Sequence, residues 1–217
     1  MYCLTSLCLY LFSFFINAEP ELSVSYVEHP AVKKTYQPIV EAMYEQANVN
    51  IRLFQVSNSP RSVKALNDGF FDADIGKILS SIKHHENIMY VPTPIAIVGL
   101  YLICRKDIIC DGTILDDEQS IIVSRFSKEM LNNILPIEAE IAQILSQKKI
   151  NEMLTIGRVN YSLVADDITS GATNFQDEYD VFLVSQEPYY HILHKRHEDK
   201  ILELDQALNI VLKAQTQ

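Results

Sequence analysis

Strand-like and helix-like stretches alternate along this chain in two series, and a polar segment separates the series. That order constrains the fold more than any single motif does. Glu21–Val27 (ELSVSYV) alternates polar and apolar residues as a half-buried strand does, and His29-Pro30 breaks it. From Lys33 the apolar positions Tyr36, Ile39, Val40, Met43, Tyr44 and Ala47 follow helical spacing. Ile51–Val56 reads as a second strand. A short helix from Arg61 to Asn67 follows, with Ser59 expected as its N-cap and Pro60 at its first position. Phe70–Ile75 reads as a third strand, Lys77–His84 as one or two helical turns, and Met89–Pro94 and Ile95–Arg105 as extended chain. Such alternation predicts an α/β layer with a mostly parallel sheet.

Asp107–Gln119 is polar and carries an Asp111-Gly112 turn, so it is the expected boundary. The alternation then restarts. Ser120–Ser124 is a strand and Ser127–Leu135 a helix that Pro136 ends. Ala139–Ile144 fits either a strand or a helix. Lys148–Ile156 is helical, Tyr161–Ala165 a strand, and Asp167–Asp177 a loop or poor helix. Tyr179–Val184 and Tyr189–Leu193 read as two further strands. A helical stripe of Ile201, Leu204, Leu208, Val211 and Leu212 closes the pattern.

The first 18 residues, MYCLTSLCLYLFSFFINA, carry no charged side chain. Their apolar run, Leu7 to Ile16, is shorter than the ~20 residues of a spanning helix and ends at Ala18, where a signal peptidase would cut. The segment is expected to be a cleaved export signal; a membrane anchor or a misplaced start codon are the competing readings. The mature protein is then periplasmic. With 18 Lys plus Arg against 28 Asp plus Glu, the net charge is −10. So acidic a surface repels a phosphate backbone, and no nucleic-acid partner is expected. Cys104 and Cys110 remain after cleavage, either as a disulfide in an oxidising compartment or as two buried thiols. No metal site and no cofactor are expected. His191, His194 and His197 fall partly on a strand, where offsets of three alternate between faces. No Gly-x-Ser-x-Gly, P-loop or His-Glu-x-x-His signature is present, so the chain is not expected to be an enzyme.

Four places together resemble a known family. They are Ser23–Pro30 before a long helix; Arg61–Asp74, with Leu66, Gly69 and then Asp72-Ala73-Asp74; Tyr90-Val91-Pro92-Thr93-Pro94; and Leu154-Thr155-Ile156-Gly157-Arg158-Val159-Asn160-Tyr161. In that order they are similar to the bacterial extracellular solute-binding proteins of family 3, over most of residues 20–214. The resemblance implies a two-lobed periplasmic binding protein type II-like fold with a hinged cleft. Residues 1–18 would be the signal peptide, 19–106 the first part of lobe 1, 107–180 lobe 2, and 181–217 the return strand and C-terminal part of lobe 1. Strands near Ile103–Asp107 and Tyr179–Ser185 would form the hinge.

Ligands of open α/β sheets bind at the carboxyl ends of strands, here the loops after Val27, Ile75 and Ser124. Tyr26, Glu28 and His29 are therefore cleft candidates, with Glu28 suited to an amine. Lys77 is a candidate for an anion. It stands where amino-acid receptors of the family usually carry an Arg, and as a point charge it lacks the fork of a guanidinium. Tyr101 is a candidate for stacking, Arg125 for a carboxylate or phosphate, and Ser127 for donation to an anion at a helix N-terminus. The structural alternatives are a solvated loop for Tyr26, Glu28 and His29, a salt bridge for Lys77, the core for Tyr101, and an interlobe or helix-capping role for Arg125. The acidic pair Asp166-Asp167 reads as a solvated loop.

The resemblance implies a monomer that binds a small polar solute, an amino acid, amine or organic acid, for ABC-type import through a membrane permease. The alternative is a sensory solute-binding module signalling to a membrane partner. A third reading is an exported enzyme on this scaffold, with Glu28 or His29 as acid or base.

Overall fold

The structure, a computed structural model, describes residues 21–169 and 173–215. The expected signal lies outside them. Among the described residues no helix is long and apolar enough to cross a membrane.

Strand β1 (Leu22–Val27) sends Leu22 and Val24 inward. A π-helical turn, Val32–Tyr36, leads into α1 (Gln37–Gln46), whose Ile39, Val40, Met43 and Tyr44 face the core at helical spacing. After β2 (Ile51–Val56) comes α2 (Ser59–Asn67). Its N-cap is Asn58 rather than the expected Ser59, because the Asn58 side chain accepts from the Arg61 backbone N–H at 3.0 Å. The third strand, β3 (Ala73–Ile78), starts three residues later than the sequence suggests and includes Lys77. Only a 3-10 turn, Leu79–Ser81, remains of the helix expected there. The cause is non-local: Lys77 and Ile78 pair with Tyr190 and Tyr189, some 110 residues away in sequence.

Then follow β4 (Ile88–Tyr90), β5 (Ala96–Arg105), β6 (Ile121–Ser124), α3 (Lys128–Asn132), β7 (Glu140–Gln143), α4 (Gln147–Thr155), β8 (Tyr161–Asp167) and α5 (Thr173–Gln176). The stretch at 139–144 is thus a strand. The two strands read at 179–184 and 189–193 are one, β9 (Tyr179–His194), and the chain ends in α6 (Ile201–Gln215). The polar stretch Ser185-Gln186-Glu187, followed by Pro188, separates the two apolar runs in the sequence. A proline is tolerated there because β3 pairs with β9 only from Tyr189 onward, so one side of the strand has no neighbour at Pro188.

Among the described residues nine strands form one hydrogen-bonded sheet, in the order β2-β1-β3-β9-β5-β8-β6-β7, with β4 beside β9. The flanks β2-β1-β3 and β8-β6-β7 are parallel, and the ladders of β9 and β5 between them are antiparallel. The expectation of a mostly parallel sheet therefore holds only for the flanks.

The sheet is continuous, but the apolar interior is divided. One core gathers Leu22, Val24, Met43, Tyr44, Ile75, Leu193, Leu204 and Leu208, with Val98 and Tyr189 packed on it; Val63, Leu66 and Ile192 lie on the opposite face of the same strands. The other gathers Leu100, Leu102, Ile122, Leu131 and Leu163 on one face and Ile103, Ile150 and Leu154 on the other. Strands β5 and β9 run from one core into the other, between Val98 and Leu100 and between Val184 and Tyr189. At this passage the register shifts, and Val184 is the extra residue of a bulge opposite Leu100 and Tyr101. Cys104 and Cys110 are joined by a disulfide with Cα atoms 5.8 Å apart, fastening the loop after β5 to the second core.

His191 lies inside the first core, 0% exposed. The Ile75 carbonyl can only accept, so Nδ1–H donates to it at 3.2 Å and Nε2 accepts from the Tyr44 hydroxyl at 2.8 Å. Burial lowers its pKa from 6.5 to about 4, outweighing the Ile75 hydrogen bond. The folded state thus holds His191 neutral where the unfolded chain takes up a proton. Its contribution to stability is present above pH 6.5 and is lost as pH falls towards 4. The expected loss over that window is on the order of 3 kcal/mol. Denaturant unfolding of the wild type and His191→Gln at pH 7 and pH 4 checks this: the variant should be weaker at pH 7 and should lose less stability on acidification.

Candidate functional site

A cavity of about 560 Å³ opens where the two cores meet. Its walls come from the carboxyl ends of parallel strands on both flanks: Val27 and His29 after β1, Ile75 and Lys77 in β3, Arg125 after β6, and Asp166 in β8. The crossing strands supply Val98, Leu100, Ser185 and Glu187. In a parallel group these ends carry loops rather than ladder partners, which leaves side chains free to face a ligand.

Arg125 sits in a turn held on both sides. Ser124 Oγ donates to the Leu163 carbonyl at 3.0 Å and accepts from the Phe126 N–H at 3.2 Å, and Gln143 Nε2 donates to the Arg125 carbonyl at 3.1 Å. Its guanidinium, in contrast, has no ion pair or hydrogen bond to any described residue. Lys77 is the opposite case. It is 6% exposed, and Nζ donates to Asp74 Oδ1 at 2.5 Å and to the Gly76 carbonyl at 3.0 Å. Asp74, 1% exposed, also accepts from Ser25 Oγ at 2.7 Å, from the Gly76 N–H at 3.0 Å and from Ser62 Oγ. The Lys77 charge is therefore matched within the protein.

His29 Nδ1 accepts from the Ala31 N–H at 3.2 Å. Burial and then the nearby Arg125 cation lower its pKa, against a smaller opposing pull from Asp166, so the ring is neutral at pH 7. His29 of the first flank thus lines one cavity with Arg125 and Asp166 of the second. Tyr36 and Tyr189 form an aromatic wall with ring centroids 4.8 Å apart. The Tyr189 ring lies against Gly76 so closely that a Cβ there would stand 2.4 Å from it, which only glycine avoids. Burial and the neighbouring Asp167 raise the pKa of the Tyr36 hydroxyl.

Of the residues singled out in the sequence, His29, Lys77 and Arg125 line this cavity. Glu28 is exposed and accepts from Gln55 Nε2 at 2.8 Å, on the neighbouring strand. Tyr26 packs half-buried against the first core and Tyr101 is buried in the second. Ser127 caps the five-residue α3, accepting from the Met130 N–H at 3.3 Å. The pair Asp166-Asp167 is not a solvated loop: it ends β8, paired with Gly99 and Val98, with Asp166 in the cavity wall and Asp167 buried. Sequence reasoning passed over Asp166, Glu187, Tyr36 and Tyr189. The strand-end rule that selected His29 selects Asp166 as well, once β8 is extended by two residues.

No protein-family model matches the chain, and no curated protein matches it in sequence. Solved structures do match in shape. The GluR0 ligand-binding core from Nostoc punctiforme, in complex with L-glutamate, superposes with a TM-score of 0.68 at 15% identity, covering 90% of this chain and 94% of that one. The substrate-binding protein of an amino-acid ABC transporter gives 0.68 at 9% identity, over 90% and 94%. The VFT2 domain of Bordetella pertussis BvgS gives 0.64 at 10% identity, over 88% of each chain. At these identities the likeness is one of fold: the chain has the two-lobed α/β fold of type II periplasmic binding proteins.

Proposed function

We propose that this chain is a non-enzymatic receptor that holds a small solute in the cleft between its lobes, outside the cytoplasm. The observation that carries this reading is the unpartnered Arg125 guanidinium facing the same cavity as the Asp166 carboxylate. A guanidinium offers a carboxylate two parallel hydrogen bonds, and a carboxylate across the cavity suits an ammonium, so the pair fits a zwitterion or an organic acid. His29 adds a neutral ring, which supplies one donor and no charge. In this reading lobe 1 comprises residues 19–98 and 189–217 and lobe 2 residues 100–184, with the boundary where β5 and β9 pass from one core to the other rather than at the expected residues 106 and 180. Closure over the solute brings His29 towards Arg125. An acid–base role for Glu28 is disfavoured, because its carboxylate is exposed and engaged by Gln55.

The bound solute is handed to a membrane permease for import. Signalling to a membrane partner is the second reading, and it is favoured by the likeness to the BvgS VFT2 domain. Thermal unfolding against amino acids, amines and organic acids tests the binding step. A true ligand at a hundred times its Kd stabilises by about 2.7 kcal/mol, and a panel in which no carboxylate shifts the midpoint overturns the reading. Uptake of the ligand by cells lacking the gene separates the two roles: it falls if the protein serves import and is unchanged if it serves sensing.

A further inference from the structure

The polar groups of the cavity wall divide sharply into those already engaged by the protein and those left for a guest. Lys77 is matched by Asp74. The Asn58 side chain caps α2, and Glu187 Oε1 accepts from Ser80 Oγ at 2.9 Å. Ser81 Oγ donates to the Ile78 carbonyl at 2.8 Å, and Gln147 Nε2 donates to Asn151 at 2.9 Å. Arg125 is thus the one cation in the wall without a described protein partner. Beside the polar His29, Tyr36, Asp166 and Ser185, much of the remaining surface is apolar and comes from both flanks and from the crossing strands: Ile78, Val98, Phe126, Met130, Ile134 and Leu145. Leu145 is 67% exposed at the rim, with no apolar cover of its own.

We infer that the solute carries a single anionic head, taken by Arg125, and a bulky apolar body that packs between Ile78 and Val98 on one side and Phe126, Met130 and Ile134 on the other. This rests on the cleft-binding reading and narrows it. The class is that of branched or aromatic amino acids and the corresponding carboxylates. A second carboxylate, as in glutamate, meets no free cation, and burying it unpaired is costly. A second cation, as in arginine, would have to draw Glu187 away from Ser80 or compete for Asp166. An alkyl or aryl group gains from every apolar wall residue it covers.

Calorimetric titration of the full chain tests this with two matched sets. The first is leucine, phenylalanine, 4-methylpentanoate and 3-phenylpropanoate; the second is glutamate, glutamine, arginine and malate; alanine is the reference. Members of the first set should bind on the order of tenfold or more tighter than alanine, as pocket-filling groups do, and the second set no tighter than alanine. Should glutamate or arginine bind more tightly than phenylalanine and leucine, the apolar class is wrong while the cleft reading stands. If neither set binds, both fall. Ile134→Gln supplies a second measurement: it should weaken the best ligand of the first set on the order of tenfold and alanine by distinctly less. An equal loss for both overturns the assignment of that wall.

Discussion

Replacing Arg125 with methionine is expected to abolish solute capture while leaving the fold as stable as before. The guanidinium has no described protein partner, so its removal leaves no internal group unpaired. Surface or cleft substitutions of that kind shift stability within about 0.5 kcal/mol. The loss of binding should be large. Truncating one partner of a desolvated charge pair costs roughly 2–5 kcal/mol, and 1.4 kcal/mol is tenfold in affinity, so Kd should rise by about thirtyfold to several thousandfold. Arg125→Lys should recover part of it, since an ammonium keeps the charge but not the fork. Calorimetry for binding and thermal unfolding for stability separate the two effects. If Arg125→Met binds as the wild type does, the anchor lies elsewhere.

The second large effect lies in β3, on the other flank of the sheet. Asp74→Ala should destabilise the protein by about 3–5 kcal/mol, because it strands the buried Lys77 ammonium without its counter-charge. It also leaves Ser25, Ser62 and the Gly76 N–H without an acceptor they now share. For a chain of this size that amounts to roughly 10 °C in the unfolding midpoint. The double variant Asp74→Ala/Lys77→Met removes the stranded charge and should regain much of the loss. A double variant no more stable than the single one would mean that the serines, not the lysine, dominate. The first core would then owe its order here to the hydrogen bonds that Ser25, Ser62 and Gly76 donate to the Asp74 carboxylate.

How much of this was legible in the sequence depended on how local each signal was. Strands β1, β2, β6 and the helices around Met43 and Leu204 follow from periodicity alone, because their partners are the sheet face and the core beneath. Lys77 misled because Gly76-Lys77-Ile78 has no strand signal of its own; only the antiparallel partner at Tyr189–Tyr190 makes it one. β9 misled because the polar residues Ser185-Gln186-Glu187 interrupt its apolar pattern. In the site, His29 and Arg125 were found by the rule that ligands meet strand ends. Asp166 was missed because the reading of β8 stopped at Ala165, whereas pairing with Gly99 and Val98 carries the strand through both aspartates. Glu28 was over-read: it stands between Val27 and His29, which line the cavity, but its own side chain turns to Gln55, whose strand lies beside β1.

The two long central strands have a further consequence for how the molecule holds together. Each packs side chains, buried on one side of the passage and partly buried on the other, into both interiors, so neither half owns a complete set of backbone partners. Severed from the rest, the segment bearing β6, β7 and β8 would present β8 as a raw edge of unpaired amides and carbonyls, an invitation to intermolecular association. The halves are accordingly poor subjects for dissection into separately expressed fragments. Mechanical strain applied to one of them passes directly into the other through covalent chain and shared ladder, with the irregularity at Val184 as the place where it is most cheaply absorbed.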